Sequence, residues 1–423
     1  MGQLLYLLYN LILTAALPFA WVAAYFNDKL GGSLTGQQDI KAQLATFRRK
    51  VDKDPKPVVW LHAASAGEFE QIKPLLARIK AYDVYLFQTF TSATIYYKAY
   101  THPLFDGVSF LPWDTWLRTR RFIKRLQPTL FINTRHDLWP NLLTHLKGQG
   151  VRNILINANL YPNSKRLQPA LKGFNAHIFG KLDAVYTGSS DLEALIKQLY
   201  TGPLHVVGDT RFDQVQERAA ANDMESLEPI VPQGQRVCVY GSVVDSDLDV
   251  ICQAIAAADV PSGLLHIVVP HEVQERDILP WEVALYRQGI KTIRYSEIAD
   301  YAGEPVVLWN QVGRLADLYK FAHLAYIGAG FTTGVHSVTE AAIYHVPAAH
   351  GPRYDILAEA VELVDLKLST VVTDGAELTT FLEQSEEAIQ TLNRELATFM
   401  DARLGASDAI VAAEFPLAKR ADA

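Results

Sequence analysis

A carboxylate behind a turn of small residues is the first feature of this sequence that could do chemistry. The segment runs from His62 to Glu68 (HAASAGE), follows the apolar run PVVWLH and opens a helical pattern. At a helix N-terminus the dipole favours an ionised carboxylate, which suits Glu68 to act as a general base. The S-x-x-E spacing of Ser65 and Glu68 equally fits a capping box, in which the glutamate only completes the helix start. The residues alone leave both interpretations open.

A glycine-rich turn in the second half of the chain is the next candidate. The stretch GAGFTTGVHSVTEAA begins at Gly328 after an apolar run. A strand, a glycine-rich turn and a helix can cradle a phosphate with backbone N–H groups, and Glu340 is suited to accept hydrogen bonds from ribose hydroxyls. The third glycine falls one residue late for a dinucleotide fingerprint, which makes a dehydrogenase a distant alternative. An ordinary glycine turn also fits.

Two charged clusters have both a chemical and a structural interpretation. Asp245, Asp247 and Asp249 could hold a divalent metal against a diphosphate, or could cap the next helix. The predicted helix 116–126 carries five cations, which form either a solvated face or a surface for anionic lipid headgroups. These cations are Arg118, Arg120, Arg121, Lys124 and Arg125. The sequence contains no H-E-x-x-H motif, no cysteine-pair zinc site, no G-x-S-x-G elbow and no Walker A loop.

Short apolar strands that alternate with helices must position these residues. Such alternation indicates parallel sheets, whose carboxyl ends are where ligands bind. One series of predicted strands comprises 57–62, 83–90, 129–133, 153–158, 184–187 and 205–208. A second comprises 236–241, 265–269, 306–310, 324–328 and 346–350. The sequence therefore predicts an α/β protein with two consecutive Rossmann-like domains facing a cleft, with residues 222–235 as part of the connection.

The N-terminal segment 4–26 has no charged residue and is almost entirely apolar. Its 23 residues could span a bilayer or lie in its interface, because a spanning helix needs roughly 20. Basic residues such as Lys29, Lys41 and Arg48 follow the segment, which places the rest of the protein in the cytoplasm if the segment is inserted. A buried core helix is the alternative.

The charge of this 423-residue chain is divided unevenly. The formal net charge is −7, but residues 27–205 carry +11 and residues 206–423 carry −18. An acidic total argues against a nucleic-acid partner, whereas the basic half could face an anionic one. Two cysteines are too few for a disulfide framework.

Taken together, seven ordered blocks resemble the 3-deoxy-D-manno-octulosonic acid (Kdo) transferases of lipopolysaccharide synthesis. The blocks cover nearly the whole chain, and their variants SAGEFEQ and GDTRFD look most like the Bacteroidetes branch of that family. They are HAASAGEFEQIKPLL, FLPWDT, DLWPNLL, NANL, GDTRFD, VVPHE and the GAGFTTGVHSVTEAA…GP stretch.

The resemblance implies a GT-B fold and an inverting, metal-independent glycosyltransferase without a cofactor. It would transfer Kdo from CMP-Kdo to a lipid A precursor at the cytoplasmic face of the cell inner membrane. The expected organisation is a membrane anchor (1–26), an acceptor-binding domain (27–221) and a CMP-sugar-binding domain (222–423), whose last helix is a candidate to pack back on the acceptor domain. Another nucleotide sugar as donor, or a non-catalytic lipid- or nucleotide-binding relative, are the alternatives.

The resemblance also assigns roles to individual residues. Glu68 matches the general base, and Asp137 and Arg211 match residues that stabilise the transition state. The substrate-binding positions are Ser65, Gly67, His271, Glu272, Val312, Gly313, Arg314, His336, Ser337, Val338, Thr339 and Glu340. The chain departs from the family pattern where Asp137 replaces a glutamate, where Arg135 and His136 precede it, and where Ser337 replaces an asparagine.

Overall fold

The protein consists of two compact units, each built on one seven-stranded parallel sheet. The computed structural model describes residues 2–25, 28–224, 235–257 and 263–415. The first unit comprises the chain up to Gln214 together with the stretch from Leu404, and the second unit comprises Val215–Arg403. The predicted α/β class with two parallel sheets is thus confirmed. Most of the predicted connection 222–235 lies outside the described residues.

In the first sheet the strand order is β3-β2-β1-β4-β5-β6-β7. Strands β2 and β3 lie on one side of β1, and strands β4 to β7 lie on the other, so the strand order reverses between β1 and β4. The strands are β1 (Val58–Ala63), β2 (Tyr85–Phe90), β3 (Gly107–Phe110), β4 (Leu130–Thr134), β5 (Arg152–Ala158), β6 (Ala184–Thr187) and β7 (Leu204–Val206). The helices are α1 (Gly2–Tyr25), α2 (Asp28–Lys53), α3 (Ala66–Lys80), α4 (Ala93–Ala99), α5 (Trp116–Leu126), α6 (Pro140–Gly148), α7 (Pro169–Phe179), α8 (Ser190–Ile196) and α9 (Thr210–Ala220).

Helices cover both faces of this sheet, which explains why its central strands are apolar throughout. Every residue of β1 is buried. Trp60 packs with Phe87 and Phe131 on one face, while Leu61 packs with its neighbours on the other. Because strand side chains alternate between faces, a strand buried on both sides reads as a continuous apolar run.

The second sheet has the order β10-β11-β9-β8-β12-β13-β14 and reverses between β8 and β12. Its strands are β8 (Val237–Val243), β9 (Leu265–Pro270), β10 (Thr292–Arg294), β11 (Val306–Leu308), β12 (Leu324–Ile327), β13 (Ala348–His350) and β14 (Ser369–Val371). Its helices are α10 (Leu248–Ala257), α11 (Glu275–Arg287), α12 (Leu315–Leu318), α13 (Thr339–Ala342), α14 (Ala358–Asp365), α15 (Gly375–Leu382) and α16 (Glu386–Asp401).

The last helix, α17 (Ala406–Glu414), belongs to the first unit. Ile410 and Val411 enter the core of that unit. The buried Glu414 carboxylate accepts hydrogen bonds from Tyr186 at 2.6 Å and from Arg152 at 2.8 Å. These contacts tie the end of the described chain to β5 and β6.

The strands β3, β10 and β14 and the helix α2 were not among the elements predicted from the sequence. The strands β3, β10 and β14 have only three or four residues, and each lies at an edge of its sheet. Edge strands are short and need no apolar pattern on both faces, so periodicity does not reveal them. The polar stretch 27–56 contains the 26-residue helix α2.

The N-terminal segment folds as helix α1, and its polar side chains contact the first unit. Tyr6 donates to Asn141 at 2.6 Å, and Tyr9 donates to Asp114 at 2.9 Å. In the described parts of the chain no helix is both long enough and apolar enough to cross a bilayer. Residue 26, the last of the predicted membrane anchor, lies outside the described residues.

A close approach between β8 and the turn after β12 gives a test of the second sheet. A Cβ atom at Gly328 would lie 2.5 Å from the Cα atom of Val243. We expect Gly328→Ala to lower the free energy of unfolding by about 2 kcal/mol, because overpacking against backbone cannot be relieved by a rotamer change. Gly148→Ala is the matched control, since nothing lies within 4 Å of that site. The measurement is the melting temperature by calorimetry. This packing would be contradicted if both variants melted at the wild-type temperature.

Candidate active site

The first candidate site lies at the point where the order of the first sheet reverses. Glu68 follows β1 and Asp137 follows β4, and these two strands are neighbours in the sheet. In open α/β sheets the loops on either side of such a reversal separate and leave a crevice at the carboxyl ends of the strands. The two carboxylates are close enough that the charge of Asp137 raises the pKa of Glu68.

Glu68 forms the capping box and keeps one carboxylate oxygen without a partner. Its Oε2 atom accepts hydrogen bonds from the backbone N–H of Ala64 at 2.6 Å and of Ser65 at 3.2 Å. In return, the Glu68 N–H donates to the Ser65 hydroxyl at 3.4 Å. Within the described residues no hydrogen-bond partner meets Oε1. The side chain is only 8% exposed.

The pKa of Glu68 is shifted by burial, by hydrogen bonds and by a neighbouring charge. Burial raises the pKa of Glu68, the hydrogen bond from Ala64 lowers it, and the negative charge of Asp137 raises it further. The net direction is upward, so burial shifts the pKa of this carboxylate more than its backbone hydrogen bonds do. A raised pKa brings a carboxylate closer to the range in which a general base works best.

His62 shifts the pKa of Asp137 in the opposite direction. The Nε2 atom of His62 donates to Asp137 Oδ2 at 2.8 Å, and its Nδ1 atom lies 2.9 Å from the Thr89 hydroxyl. Burial would raise the pKa of Asp137, but the hydrogen bond and charge of His62 hold it below its usual value. The side chain of Asn133 donates to the Asp137 carbonyl and fixes the turn. The site therefore contains two carboxylates whose pKa values are shifted apart.

Arg211 stands at the start of α9, and its backbone is tied to the same end of the first sheet. Its N–H donates to Asp209 Oδ1 at 2.8 Å, and Asp209 accepts from Gln71 of α3 at 3.0 Å. The neighbouring Thr210 hydroxyl donates to the Gln71 carbonyl at 2.6 Å. These bonds hold the β7–α9 loop against α3, the helix that carries Glu68. The catalytic role of Arg211 stays a prediction.

In the second unit, a cavity of about 310 Å³ contains part of the predicted donor site. His271 and Glu272, which follow β9, line it together with Asp245 and Trp281. The His336 ring stacks on that of His271, with centroids 4.6 Å apart and planes 16° apart. Burial lowers the pKa of His336, and His271 lowers it further, so this ring is neutral at pH 7. The fold thus brings three of the predicted binding residues together.

Asp247 organises this region as a structural acceptor. Its carboxylate accepts from the backbone N–H of Val244 at 2.9 Å, from that of Ala329 at 2.8 Å, and from the Tyr326 hydroxyl at 2.9 Å. Ala329 has a φ of 69°, so this bond stabilises an unfavourable turn. The metal interpretation of the D-x-D segment gains no support, because Asp247 points into the fold and joins the loops after β8 and β12.

The glycine-rich stretch connects β12 to a helix, as predicted, but that helix, α13, is only four residues long. The chain turns soon afterwards, at His345, which has a φ of 60°. A single turn has little dipole to offer a phosphate. Glu340 lies 3.2 Å from Arg218 in an ion pair, and the hydroxyls of Ser337 and Thr339 lie 3.0 Å apart.

The remaining predicted residues lie apart from the lining of this cavity. The side chain of Val338 is buried, and that of Val312 is 82% exposed. Gly313 has a φ of 92°, and Arg314 forms ion pairs with Asp223 at 3.0 Å and Asp317 at 3.3 Å. In the first unit, Ser65 caps α3 and Gly67 lies in its first turn. Their roles in substrate binding stay predictions.

Two residues of the first site were missed by the sequence analysis. His62 stands in the quoted HAASAGE block, where its position at the end of β1 could have indicated a partner for Asp137. Arg166 donates to the His136 carbonyl at 2.6 Å from a 3₁₀ turn at Lys165–Leu167. No motif marks Arg166, because the contact depends on the path of the loop after β5.

Comparison with known proteins identifies relatives of the chain. Residues 38–214 match the family described as 3-deoxy-D-manno-octulosonic-acid transferase (kdotransferase). The 3-deoxy-D-manno-octulosonic acid transferase of Chlamydophila psittaci is 26% identical over 318 residues, which are 72% of this chain and 72% of that protein. The enzyme of the same name from Bordetella pertussis is 26% identical over 81% of this chain and 82% of its own.

The fold is shared with solved structures of low sequence identity. The UDP-GlcNAc 2-epimerase of Neisseria meningitidis, bound to UDP-GlcNAc, superposes with a TM-score of 0.61 and 12% identity. The match covers 86% of this chain and all of that protein. At this identity the likeness concerns the fold alone, and it agrees with the predicted GT-B class.

The opposite pKa shifts of the two carboxylates can be tested directly. We expect Asp137→Asn to lower the pKa of Glu68, because the substitution removes a negative charge that raises it. The measurement is a ¹³C NMR titration of the glutamate side-chain carboxyl signals, with Glu68 assigned from its loss in Glu68→Gln. Asp191→Asn, an exposed change on α8, should leave the titration unchanged. An unaltered Glu68 pKa in Asp137→Asn would contradict the coupling.

Proposed function

We propose that this chain, which is a glycosyltransferase of the Kdo transferase family, transfers Kdo from CMP-Kdo to a lipid A precursor. The observation that carries the proposal is the pair of carboxylates, Glu68 and Asp137, on either side of the reversal in the first sheet. Both named relatives are 3-deoxy-D-manno-octulosonic acid transferases, which supports Kdo as the transferred sugar. The motif resemblance supports CMP-Kdo as the donor and a lipid A precursor as the acceptor.

Glu68 is suited to act as the general base. Its Oε2 atom is fixed by two backbone N–H groups, so the position of Oε1 is fixed as well. In the proposed reaction Oε1 takes the proton of the acceptor hydroxyl while that oxygen attacks the anomeric carbon. The bond to the CMP phosphate breaks on the opposite face, and the configuration inverts. The raised pKa of Glu68 strengthens it as a proton acceptor.

Asp137 is suited to stabilise the positive charge that develops on the sugar. A glycosyl transition state resembles an oxocarbenium ion, and a nearby ionised carboxylate lowers its energy. The hydrogen bond from His62 keeps Asp137 ionised and fixes its orientation. The aspartate is one methylene shorter than the family's glutamate, so this anchoring matters for where its charge lies. Arg211 retains the transition-state role that the resemblance gives it.

We assign donor binding to the second unit, at the cavity beside His271. A cytosine can stack on the paired rings of His271 and His336, because planar heteroaromatic surfaces favour offset stacking. Glu272 and Asp245 line the same cavity and supply hydrogen-bond acceptors for an amino group or for ribose hydroxyls. Binding assays with CMP, UDP and GDP separate this proposal from a transferase that uses another nucleotide sugar.

We further propose that the first unit contacts the cytoplasmic face of the inner membrane through α1. Tyr6, Tyr9 and Asn10 of α1 face the first unit, where Asn141 donates to Asn10 at 2.8 Å. Six apolar residues of the helix are exposed instead, with 46–76% of each accessible to solvent. A helix of this kind lies in a membrane interface with its apolar face buried. The exposed residues are Leu4, Leu7, Leu8, Leu11, Ile12 and Phe19.

A basic surface on the same unit fits contact with anionic lipid. A cavity of about 320 Å³ between α2 and α5 is lined by Lys41, Arg118, Arg121 and Arg125. Ile40, Leu44 and Phe122 also contribute to its lining. Each cation near an anionic membrane surface adds about 1 kcal/mol of attraction. These four cations are among the basic residues that give residues 27–205 their net charge of +11.

The proposed reaction is tested by mass spectrometry of a lipid A precursor incubated with CMP-Kdo and the protein. We expect added Kdo with the wild type and at least a 1000-fold slower reaction with Glu68→Gln, because the substitution removes the base and keeps the shape. Glu70→Gln, two residues along α3, is the matched control and should retain activity. The base assignment fails if Glu68→Gln keeps the wild-type rate, and the function fails if the wild type transfers no Kdo.

Membrane contact through α1 is tested by flotation with vesicles containing phosphatidylglycerol. We expect Leu7→Asp combined with Leu11→Asp to weaken binding at least tenfold, because each buried leucine contributes roughly 1.5–3 kcal/mol. Leu366→Asp, an exposed leucine of the second unit, is the matched control. Higher salt should weaken wild-type binding as well, because screening reduces the attraction of the basic surface. Equal flotation of all variants would exclude α1 as the contact.

A further inference from the structure

A partly buried arginine reaches the candidate site without using most of its hydrogen-bonding capacity. Arg166 stands on the 3₁₀ turn Lys165–Leu167 and donates through Nη2 to the His136 carbonyl at 2.6 Å. A guanidinium has five N–H donors. In the parts of the chain that the structure describes, no other acceptor meets this group. The remaining donors are therefore available to a ligand.

The charge of Arg166 is coupled to the site. Burial lowers the pKa of Arg166, while the negative charge of Asp137 raises it. The guanidinium therefore lies within electrostatic reach of Asp137, and it also lowers the pKa of His136. An arginine keeps its charge in proteins despite such burial. It is a permanent cation next to a pair of carboxylates.

A second arginine, Arg135, lies in the turn after β4, just before Asp137, and has an unpaired donor. Arg135 follows β4 with a φ of 61°, a left-handed conformation that is unfavourable for a residue with a long side chain. Its N–H donates to the Ile156 carbonyl at 2.9 Å, which holds this conformation in place. Its Nε atom is buried and has no hydrogen-bond partner. Strain and an unpaired donor together mark a turn that is built for a function.

The proposed reaction creates a need for these cations. The anomeric carbon of Kdo carries a carboxylate, and a lipid A precursor carries phosphates, so either substrate brings negative charge toward Glu68 and Asp137. These carboxylates repel the negative charge of the substrate, just as the charge of Asp137 disfavours the ionised form of Glu68 and raises its pKa. Without a compensating cation the substrate would be rejected. Arginine is well matched to this task, because its planar fork binds carboxylate and phosphate with two parallel hydrogen bonds.

We propose that Arg166, together with Arg135, binds an oxyanion of a substrate, a sugar carboxylate or a phosphate, beside Asp137. This inference rests on the proposed function, because that function defines which anions reach the site. Arg166 then acts in two ways: it holds the His136 carbonyl and it presents its free donors to the ligand. The departure of Arg135 and His136 from the family pattern gives this chain its own set of groups around Asp137.

The test compares enzyme variants with substrates that lack one anionic group. We expect Arg166→Met to lower kcat/KM about 100-fold with the complete substrates, and Arg166→Lys to recover part of that loss, because lysine keeps the charge without the fork. Lys165→Met removes the exposed neighbouring cation and should retain the wild-type value. Circular dichroism and melting temperature verify that the variants are folded.

Substrates that lack one anionic group identify the anion that Arg166 binds. If Arg166 binds the sugar carboxylate, the loss in Arg166→Met falls below about threefold with a donor whose carboxylate is replaced by a carboxamide. If it binds a phosphate, the loss falls in the same way with a dephosphorylated acceptor. An undiminished loss with both analogues would overturn the proposal, because it would mean that Arg166 only holds the His136 carbonyl.

A second measurement does not depend on turnover. In protein labelled with ¹⁵N-arginine, inorganic phosphate or acetate should shift the Nε–H signals of Arg166 and Arg135, each assigned from its loss in the lysine variant, while chloride should not. Absence of any shift would also overturn the proposal. If the wild type transfers no Kdo but these signals respond, the proposed function fails and the anion site stands.

Discussion

Buried carboxylates that accept hydrogen bonds from backbone N–H groups hold the functional loops of both units. A buried carboxylate and an unpaired N–H group are each costly, and pairing them offsets both costs. Asp247 joins the loops after β8 and β12 in this way. Asp114 accepts from Asn141 and Leu142 at the start of α6, although burial still raises the pKa of Asp114 to about 7. These bonds help to fix the loops at the carboxyl ends of the strands.

At Glu68 the same interaction serves structure and chemistry together. The two backbone N–H groups bind one oxygen, so the cap is complete while the other oxygen remains available. The two sequence interpretations of Ser65 and Glu68 are therefore compatible, because a cap fixes the carboxylate at the reversal of the sheet. Asp137 lacks backbone donors to its carboxylate among the described contacts and depends on His62 instead. Burial raises the pKa of Glu68 despite its backbone partners, whereas the hydrogen bond and charge of His62 lower that of Asp137.

The sequence predicted those features that depend on local pattern. The apolar runs located the central strands β1 and β8, and the helix 116–126 agrees with α5 in both its bounds. Patterns could not reveal the edge strands, because three residues such as Thr292–Arg294 carry no usable period. The raised pKa of Glu68 and the approach of Arg166 depend on burial and on long-range packing. Such properties arise only when segments distant in sequence meet.

Net charge gives little guidance to the chemistry of the second unit. Residues 206–423 carry a net −18, and Asp245, Glu272 and Asp277 all line its cavity. Burial keeps His336 neutral, so that ring supplies no positive charge at pH 7. Under the proposal above, a nucleotide bound there is recognised by stacking on the histidine rings and by hydrogen bonds to carboxylate oxygens, and these carboxylates would repel its phosphate. The basic character of the first unit and the acidic character of the second are thus properties of their surfaces, whereas each site sets its own local electrostatics through burial and hydrogen bonding.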